Sequence, residues 1–314
     1  MSDFVKQNSC DCSFTTKESW VILSPIEQSI KKKIESAGVP LKDWDISINY
    51  GIKTGFNDAF IISGEKREEI LNNCKTKEER KKTDDLIRPI LRGRDIKRFS
   101  YTWADLWLIY IPWHFPLQFD QTIQGASKKA EDEFKKQYPS VYTHLLNYKK
   151  ELSARNKAET GIRYEWYAMQ RWGSNYWDDF NKPKIVYTPV NSEYRFALVP
   201  ERFIFNNSLF MITGTDIEII CALCNSSLFQ FYLSKILSGG NYQYGSGIFF
   251  EKLPLVKIQN EDKKIILKNM VLKLQENYSK SKVAEIDSMI FDLYNISQDE
   301  RNIINSIDFK EIIS

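Results

Sequence analysis

The chain has 314 residues, 42% hydrophobic and 27% charged, which excludes a largely disordered polypeptide and is enough to build a sizeable core without disulfide or metal staples. Lys and Arg total 44 against 41 Asp and Glu, a formal charge of +3, so any anion-binding surface must come from local segregation of charge. No apolar run approaches the roughly 18–20 residues of a membrane helix, and the N-terminus lacks the basic-then-apolar order of a secretory signal, so a soluble, cytoplasmic protein is expected.

Residues 1–19 read as a lead segment. Ser24-Pro25-Ile26-Glu27 predicts a helix start, with a capping serine, a first-turn proline and a capping-box glutamate; the helix should stop at Gly38. Asp45–Tyr50 and Ala59–Ile62 read as strands around a glycine-punctuated loop, followed by a charged helix over 66–82 and a buried strand at Ile87–Leu91. The aromatic-dense stretch 99–119 contains a strand at Leu106–Ile111, and 127–155 turns helical with a break at Tyr138-Pro139. Short strands follow at Lys184–Thr188, Tyr194–Leu198, Arg202–Phe205 and Leu209–Ile212. Thr215-Asp216-Ile217-Glu218 reads as a second capping box, opening a long apolar helix to about Leu237. Beyond residue 260 the pattern is all helical. Ile266, Met270 and Leu274 form one apolar stripe, Val283, Ile286, Ile290 and Leu293 another, and Ser297 with Glu300 caps a last helix. The expected class is α+β: a mixed-sheet domain over 20–260, then a helical C-terminal tail over 261–314.

Several chemistries lack their parts. There is no Pro-Pro dipeptide for the loop that grips a flipped base, no glycine-rich turn between strand and helix for a nucleotide or S-adenosylmethionine, and no GxSxG. The five cysteines, at 10, 12, 74, 221 and 224, are too poorly spaced for zinc, and with only His114 and His144 no metal site is expected. Asp120, Glu133 and Lys135 reproduce the order of a magnesium nuclease, but the last two lie in a run, KKAEDEFKK, that reads as a solvated helix.

Two segments carry a signal. Gly51-Ile52-Lys53-Thr54-Gly55-Phe56-Asn57-Asp58 sets Lys53, Thr54 and Asn57 among glycines that permit close backbone approach, donors suited to phosphates or base edges. Arg88 to Arg98 holds five basic residues and one acid, a local +4 in a chain of +3, with Asp95 placed to orient an arginine. Here Arg92, Arg94, Lys97 and Arg98 are the candidates for phosphate and major-groove contacts. Arg171 beside Trp172, and the glycine-rich loop with Asn241, Gln243 and Tyr244, are further candidates.

In this order GIKTGFNDAFII, LIRPILRGRDIKRF, YPSVYTHLLNYKKELSAR, YEWYAMQRWG, FNKPKIVYTPV, ALCNSSLFQFYLSK and FFEKLPLVKI resemble the C-terminal region of Type IIG restriction–modification enzymes. That region is the TaqI-like specificity domain of adenine-N6 DNA methyltransferases, and EIDSMIFDLYNISQDE resembles its helical ending. The resemblance covers about residues 20–305. It implies a target-recognition domain that binds double-stranded DNA and presents it to an adenine-N6 methyltransferase domain or subunit, which flips out the adenine. No catalytic residue carries over, because the chain starts about where the methyltransferase would end. S-adenosylmethionine and magnesium are therefore expected on a partner or missing domain. The alternatives are a fragment of one such methyltransferase or Type IIG enzyme, and a stand-alone magnesium nuclease.

Overall fold

A computed structural model describes residues 23–188, 194–233 and 250–306. Its strands are β1 (Val39–Pro40), β2 (Ile46–Tyr50), β3 (Ile61–Ser63), β4 (Ile87–Leu91), β5 (Leu106–Ile109), β6 (Lys184–Tyr187), β7 (Phe196–Val199), β8 (Ile204–Phe205), β9 (Phe210–Gly214) and β10 (Pro254–Leu255). Its helices are α1 (Pro25–Ala37), α2 (Asn57–Phe60), α3 (Gly64–Asn72), α4 (Lys77–Leu86), α5 (Lys128–Gln137), α6 (Pro139–Leu146), α7 (Lys149–Ala154), α8 (Ile217–Asn225), α9 (Ser227–Phe231), α10 (Glu261–Glu276), α11 (Lys280–Leu293) and α12 (Gln298–Asn305). The class is α+β with a helical C-terminal region.

The strands form a four-stranded antiparallel sheet in the order β2-β9-β6-β7, a second four-stranded sheet in the order β3-β5-β4-β8, and the pair β1-β10. The second sheet is the mixed one, since β8 runs parallel to β4 while β3 and β5 are antiparallel neighbours. Strands β6 and β7 are buried at every position, which explains why KIVY and FALV show no apolar–polar alternation. Their period of two still sorts the side chains. Ile185, Tyr187, Phe196, Leu198 and Ile212 enter one apolar cluster, with α1, α8, α9 and Leu267, Val271, Ile286 and Ile290 of the later helices. Val186, Ala197, Val199 and Met211 enter the other, with Ile90, Leu91, Leu108 and Phe205 of the mixed sheet. The antiparallel sheet is thus a middle layer, helices on one face and the mixed sheet on the other. Each fully buried aliphatic side chain in these layers contributes roughly 1.5–3 kcal/mol of transfer free energy.

Two of the three predicted capping boxes form. Ser24 and Glu27 exchange amide bonds at the start of α1, and Ser297 and Glu300 do so at α12. Glu300 also receives Lys33 Nζ at 2.6 Å and Ser29 Oγ at 2.7 Å, which pins α12 to α1.

Five expectations change. The capping box at Thr215 does not form: Thr215 donates its amide to the Asp45 carbonyl instead, and Asp216 sits at φ 53° with its carboxylate 2.8 Å from Lys268 Nζ. The long apolar helix breaks after Asn225, where Ser226 accepts from the Phe229 amide and starts α9. The buried stripe of α10 is Leu267, Val271 and Leu274, one position over from the expected phase, leaving Ile266 half exposed. The charged helix over 66–82 is two helices, since Thr76 caps α4 at 3.0 Å, and residues 59–60 belong to α2, with β3 starting at Ile61. Among the described residues no helix is long and apolar enough to cross a membrane.

Candidate nucleic-acid interface

The shortest strand brings the two signal-bearing segments together. On one side of β8, Ile90 and Leu91 pair with Ile204 and Phe205 and deliver Arg92 to the surface. On the other side, Ile52 donates its amide to the Phe205 carbonyl and Gly51 to the Leu209 carbonyl, each at 2.9 Å. A Cβ on Gly51 would lie 2.1 Å from the Asn206 carbonyl oxygen, so that approach requires glycine. Beyond β8 the chain turns through Asn206–Ser208, with Asn206 Oδ1 accepting from the Ser208 amide at 3.3 Å. The turn lies between the 51–57 loop and the arginine segment, since the Gly93 Cβ position is 3.8 Å from Ser208 Oγ.

Arg171 joins the same place from farther along the chain. Lys53 and Arg171 exchange both backbone bonds at 2.9 Å, forming a one-rung antiparallel bridge. Thr54 is buried and donates its hydroxyl to Asn57 Oδ1 at 2.7 Å, so these two partner each other while Lys53 and Asn57 stay exposed. The loop is anchored from behind by Arg155, which donates to the carbonyls of Thr54 at 2.5 Å, Trp166 at 2.9 Å and Ala168. Burial pushes the Arg155 guanidinium down to about 10, still charged at neutral pH. Sequence reasoning missed this residue because an arginine in a charged helical run looks solvated.

The basic segment divides by partner. Arg88 lies 4.5 Å over the Trp177 ring and donates to Asn181 Oδ1 at 2.7 Å. Asp95 grips Arg92 through Nε at 3.0 Å and Nη2 at 2.8 Å, and that bond raises the Arg92 pKa. Arg98 turns inward, donating through Nε and Nη2 to the Asn225 carbonyl at 2.8 and 2.5 Å, with Asp287 3.9 Å away. Arg94 is exposed and Lys97 half-buried, and neither side chain has a polar partner among the described residues; the same holds for Lys53. Exposed Arg202, in the turn before β8, adds a further cation that the sequence did not flag.

Asn241, Gln243 and Tyr244 lie outside the described residues, as do Cys10 and Cys12. Cys221 and Cys224 are buried free thiols whose pKa values burial pushes up. Asp120 accepts from Thr122 and pairs with Lys129 at 3.5 Å, Glu133 accepts from Gln137 at 2.9 Å, and Lys135 is exposed on α5. Among the described residues no group of three or more His, Cys, Asp or Glu is placed to hold a metal.

Residues 88–255 match the family model of the TaqI-like C-terminal specificity domain. The chain is 24% identical over 265 residues to Type II methyltransferase M.MjaIV of Methanocaldococcus jannaschii, the match covering 80% of each protein. Among solved structures it is similar to the Type IIL restriction–modification enzyme MmeI in complex with DNA, at TM-score 0.48 and 13% identity, covering 85% of this chain and 36% of that one. It is also similar to the type IIG restriction endonuclease BpuSI, at TM-score 0.48 and 12% identity, covering 86% and 32%. The chain spans about a third of the length of these two enzymes.

Proposed function

The chain belongs to the TaqI-like C-terminal specificity domain family, and from that premise we propose that it is the DNA-reading module of a restriction–modification system. In this reading it grips a short double-stranded sequence and presents it to an adenine-N6 methyltransferase, either a separate subunit or another part of one longer polypeptide. One observation carries the reading: the matched stretch contains the arginine segment, Arg171 and the Asn206–Ser208 turn, which the fold gathers around one short strand. A basic surface with unspent cations is what phosphate binding requires, and a guanidinium fork is what guanine recognition requires.

The roles divide by geometry. Lys53 and Lys97 meet phosphates, and Arg94 reads a base edge. Arg92 is preset by Asp95, while Arg98 holds the end of the segment against the helical layer. Thr54 and Asn57 shape the loop that carries Lys53, and Gln243 and Tyr244 remain candidates for adenine contact. S-adenosylmethionine and magnesium are assigned to the methyltransferase part, and the module works where the DNA is, in the cytoplasm.

The test is binding of labelled duplexes to the purified chain across a salt series, followed by selection from duplexes with a randomised core. The expected results are a recovered sequence motif, a negative log–log salt slope that Lys97→Ala flattens by about one unit, and no methyl transfer from S-adenosylmethionine by the chain alone. No duplex binding at low salt, or incorporation of labelled methyl above a protein-free control, overturns the reading.

A further inference from the structure

Arg171 is not a free cation. Glu159, in the loop after α7, accepts from Arg171 Nη1 at 3.0 Å and from Nη2 at 2.9 Å. The same carboxylate accepts from Arg163 Nη1 at 3.0 Å and from Asn156 Nδ2 at 2.5 Å, so both of its oxygens are fully engaged. Its pKa is lowered, first by the Arg171 bond, and the Arg171 pKa is raised in turn. The Glu159 side chain is 12% exposed, that of Arg171 43%. Beneath them lies Trp113, stacked on Tyr164 at 4.8 Å, with the Arg163 and Arg171 guanidinium carbons 5.4 and 5.8 Å from its ring centre.

The guanidinium has five N–H bonds in a fixed plane. Two go to Glu159, and a third, on Nη1, goes to the Gln170 carbonyl at 2.7 Å. The Nε–H and the outer Nη2–H remain, without a partner among the described residues. Together they form the side fork of the arginine, spaced for two adjacent acceptor atoms such as guanine O6 and N7 or two phosphate oxygens. A mobile arginine takes whichever phosphate is nearest. One braced by a carboxylate takes acceptors at one position only, and the negative brace opposes phosphate approach.

We propose that Glu159 is a specificity-determining positioning residue: it holds Arg171 so that its side fork takes one pair of adjacent acceptors on a base edge. This rests on the DNA-reading function proposed above. The brace trades affinity for discrimination, so removing it moves the two in opposite directions.

The test uses the full chain, a scrambled duplex and selection from duplexes with a randomised core. Glu159→Gln keeps the shape and loses the charge. It should bind the scrambled duplex roughly fivefold more tightly, steepen the salt slope by about one unit, and flatten base preference at one position. Arg171→Lys keeps the charge and loses the fork, so it should flatten preference at the same position with the slope unchanged. Glu159→Asp, which keeps the charge but retracts the carboxylate, should flatten that preference without tightening scrambled binding, and guards against a folding defect in the glutamine variant. A merely structural carboxylate would weaken both kinds of binding together, which overturns the proposal. A motif unchanged in Glu159→Gln and Arg171→Lys also overturns it, assigns the fork to phosphate, and leaves the DNA-reading function standing. If the unaltered chain selects no motif, that function fails and this inference falls with it.

Discussion

The two sides of the antiparallel sheet use their charges differently. On the helical side three inward-facing cations are spent on the fold, Lys33 on Glu300, Lys268 on Asp216, and Arg98 on the Asn225 carbonyl near Asp287, while Lys32, Lys263 and Lys273 are exposed on helix surfaces. On the loop side Lys53, Arg94 and Lys97 have no side-chain partner among the described residues, while Arg92 and Arg171 are each held by a carboxylate that leaves part of the guanidinium open. Net charge hides this, because it counts a cation held by the fold and one open to a polyanion alike. A cation's partner is therefore a better guide to its role than its position in a basic run. Arg98 and Arg94 are four residues apart and serve opposite sides.

Substitutions on the two sides should separate stability from recognition. The largest effect belongs to the helical side. Asn225 is fully buried, and its side chain accepts from the Phe196 amide at 3.2 Å and donates to the Phe196 carbonyl at 2.7 Å, finishing the edge of β7. Asn225→Ala leaves the buried Phe196 amide unpaired and removes one of two N–H donors from the Phe196 carbonyl, which keeps the Phe99 amide at 3.0 Å, and should cost about 3 kcal/mol in urea unfolding. A smaller loss than that of a typical surface substitution would show the edge to be solvated.

On the loop side, Arg94→Ala should leave unfolding unchanged and cost roughly 1–3 kcal/mol of binding on the selected duplex alone. Equal weakening on scrambled DNA would make Arg94 a phosphate contact and blur the contrast.

The smallest effect comes from Lys184 of β6, which is fully buried with Nζ 3.1 Å from the Pro200 carbonyl. Burial pushes its pKa down to about 7 from 10.5. Below pH 7 both folded and unfolded chains carry the proton, and the folded one bears the cost of a buried charge. Between pH 7 and 10.5 the folded state has lost the proton that the unfolded state still binds, so stability should rise with pH across that window. Lys184→Met should stabilise by about 1–2 kcal/mol at pH 6, and the gain should shrink by pH 9. A gain independent of pH would mean that the ammonium reaches water.

How much was legible in the sequence follows the range of the interaction. The Ser24–Glu27 and Ser297–Glu300 boxes close within one turn, and both formed. Thr215 failed as a cap because Asp45, distant in sequence, offers its carbonyl. The phase of α10 was misread because the stripes through Ile266 and Leu267 are both apolar and share Leu274; only the surface opposite decides between them. Composition marked the 51–58 loop and the arginine run separately. That they meet depends on β8, whose place the Arg202–Phe205 pattern marks but whose neighbours it does not name. Arg155 and Glu159 left no trace, because a charge that braces a backbone or another charge has the same letter as one in solvent.

The two glycines beside the Asn206–Ser208 turn differ in what they tolerate. Gly51 admits no side chain against the Asn206 carbonyl, whereas the Gly93 position meets only Ser208 Oγ at 3.8 Å, an ordinary contact distance. The surface therefore has one fixed bank and one adaptable bank. Natural variation and laboratory libraries can both explore residues 92–94 and the tip of the turn without disturbing the loop opposite. New target preferences should arise on the arginine bank first, while Gly51 stays glycine in every variant that still folds.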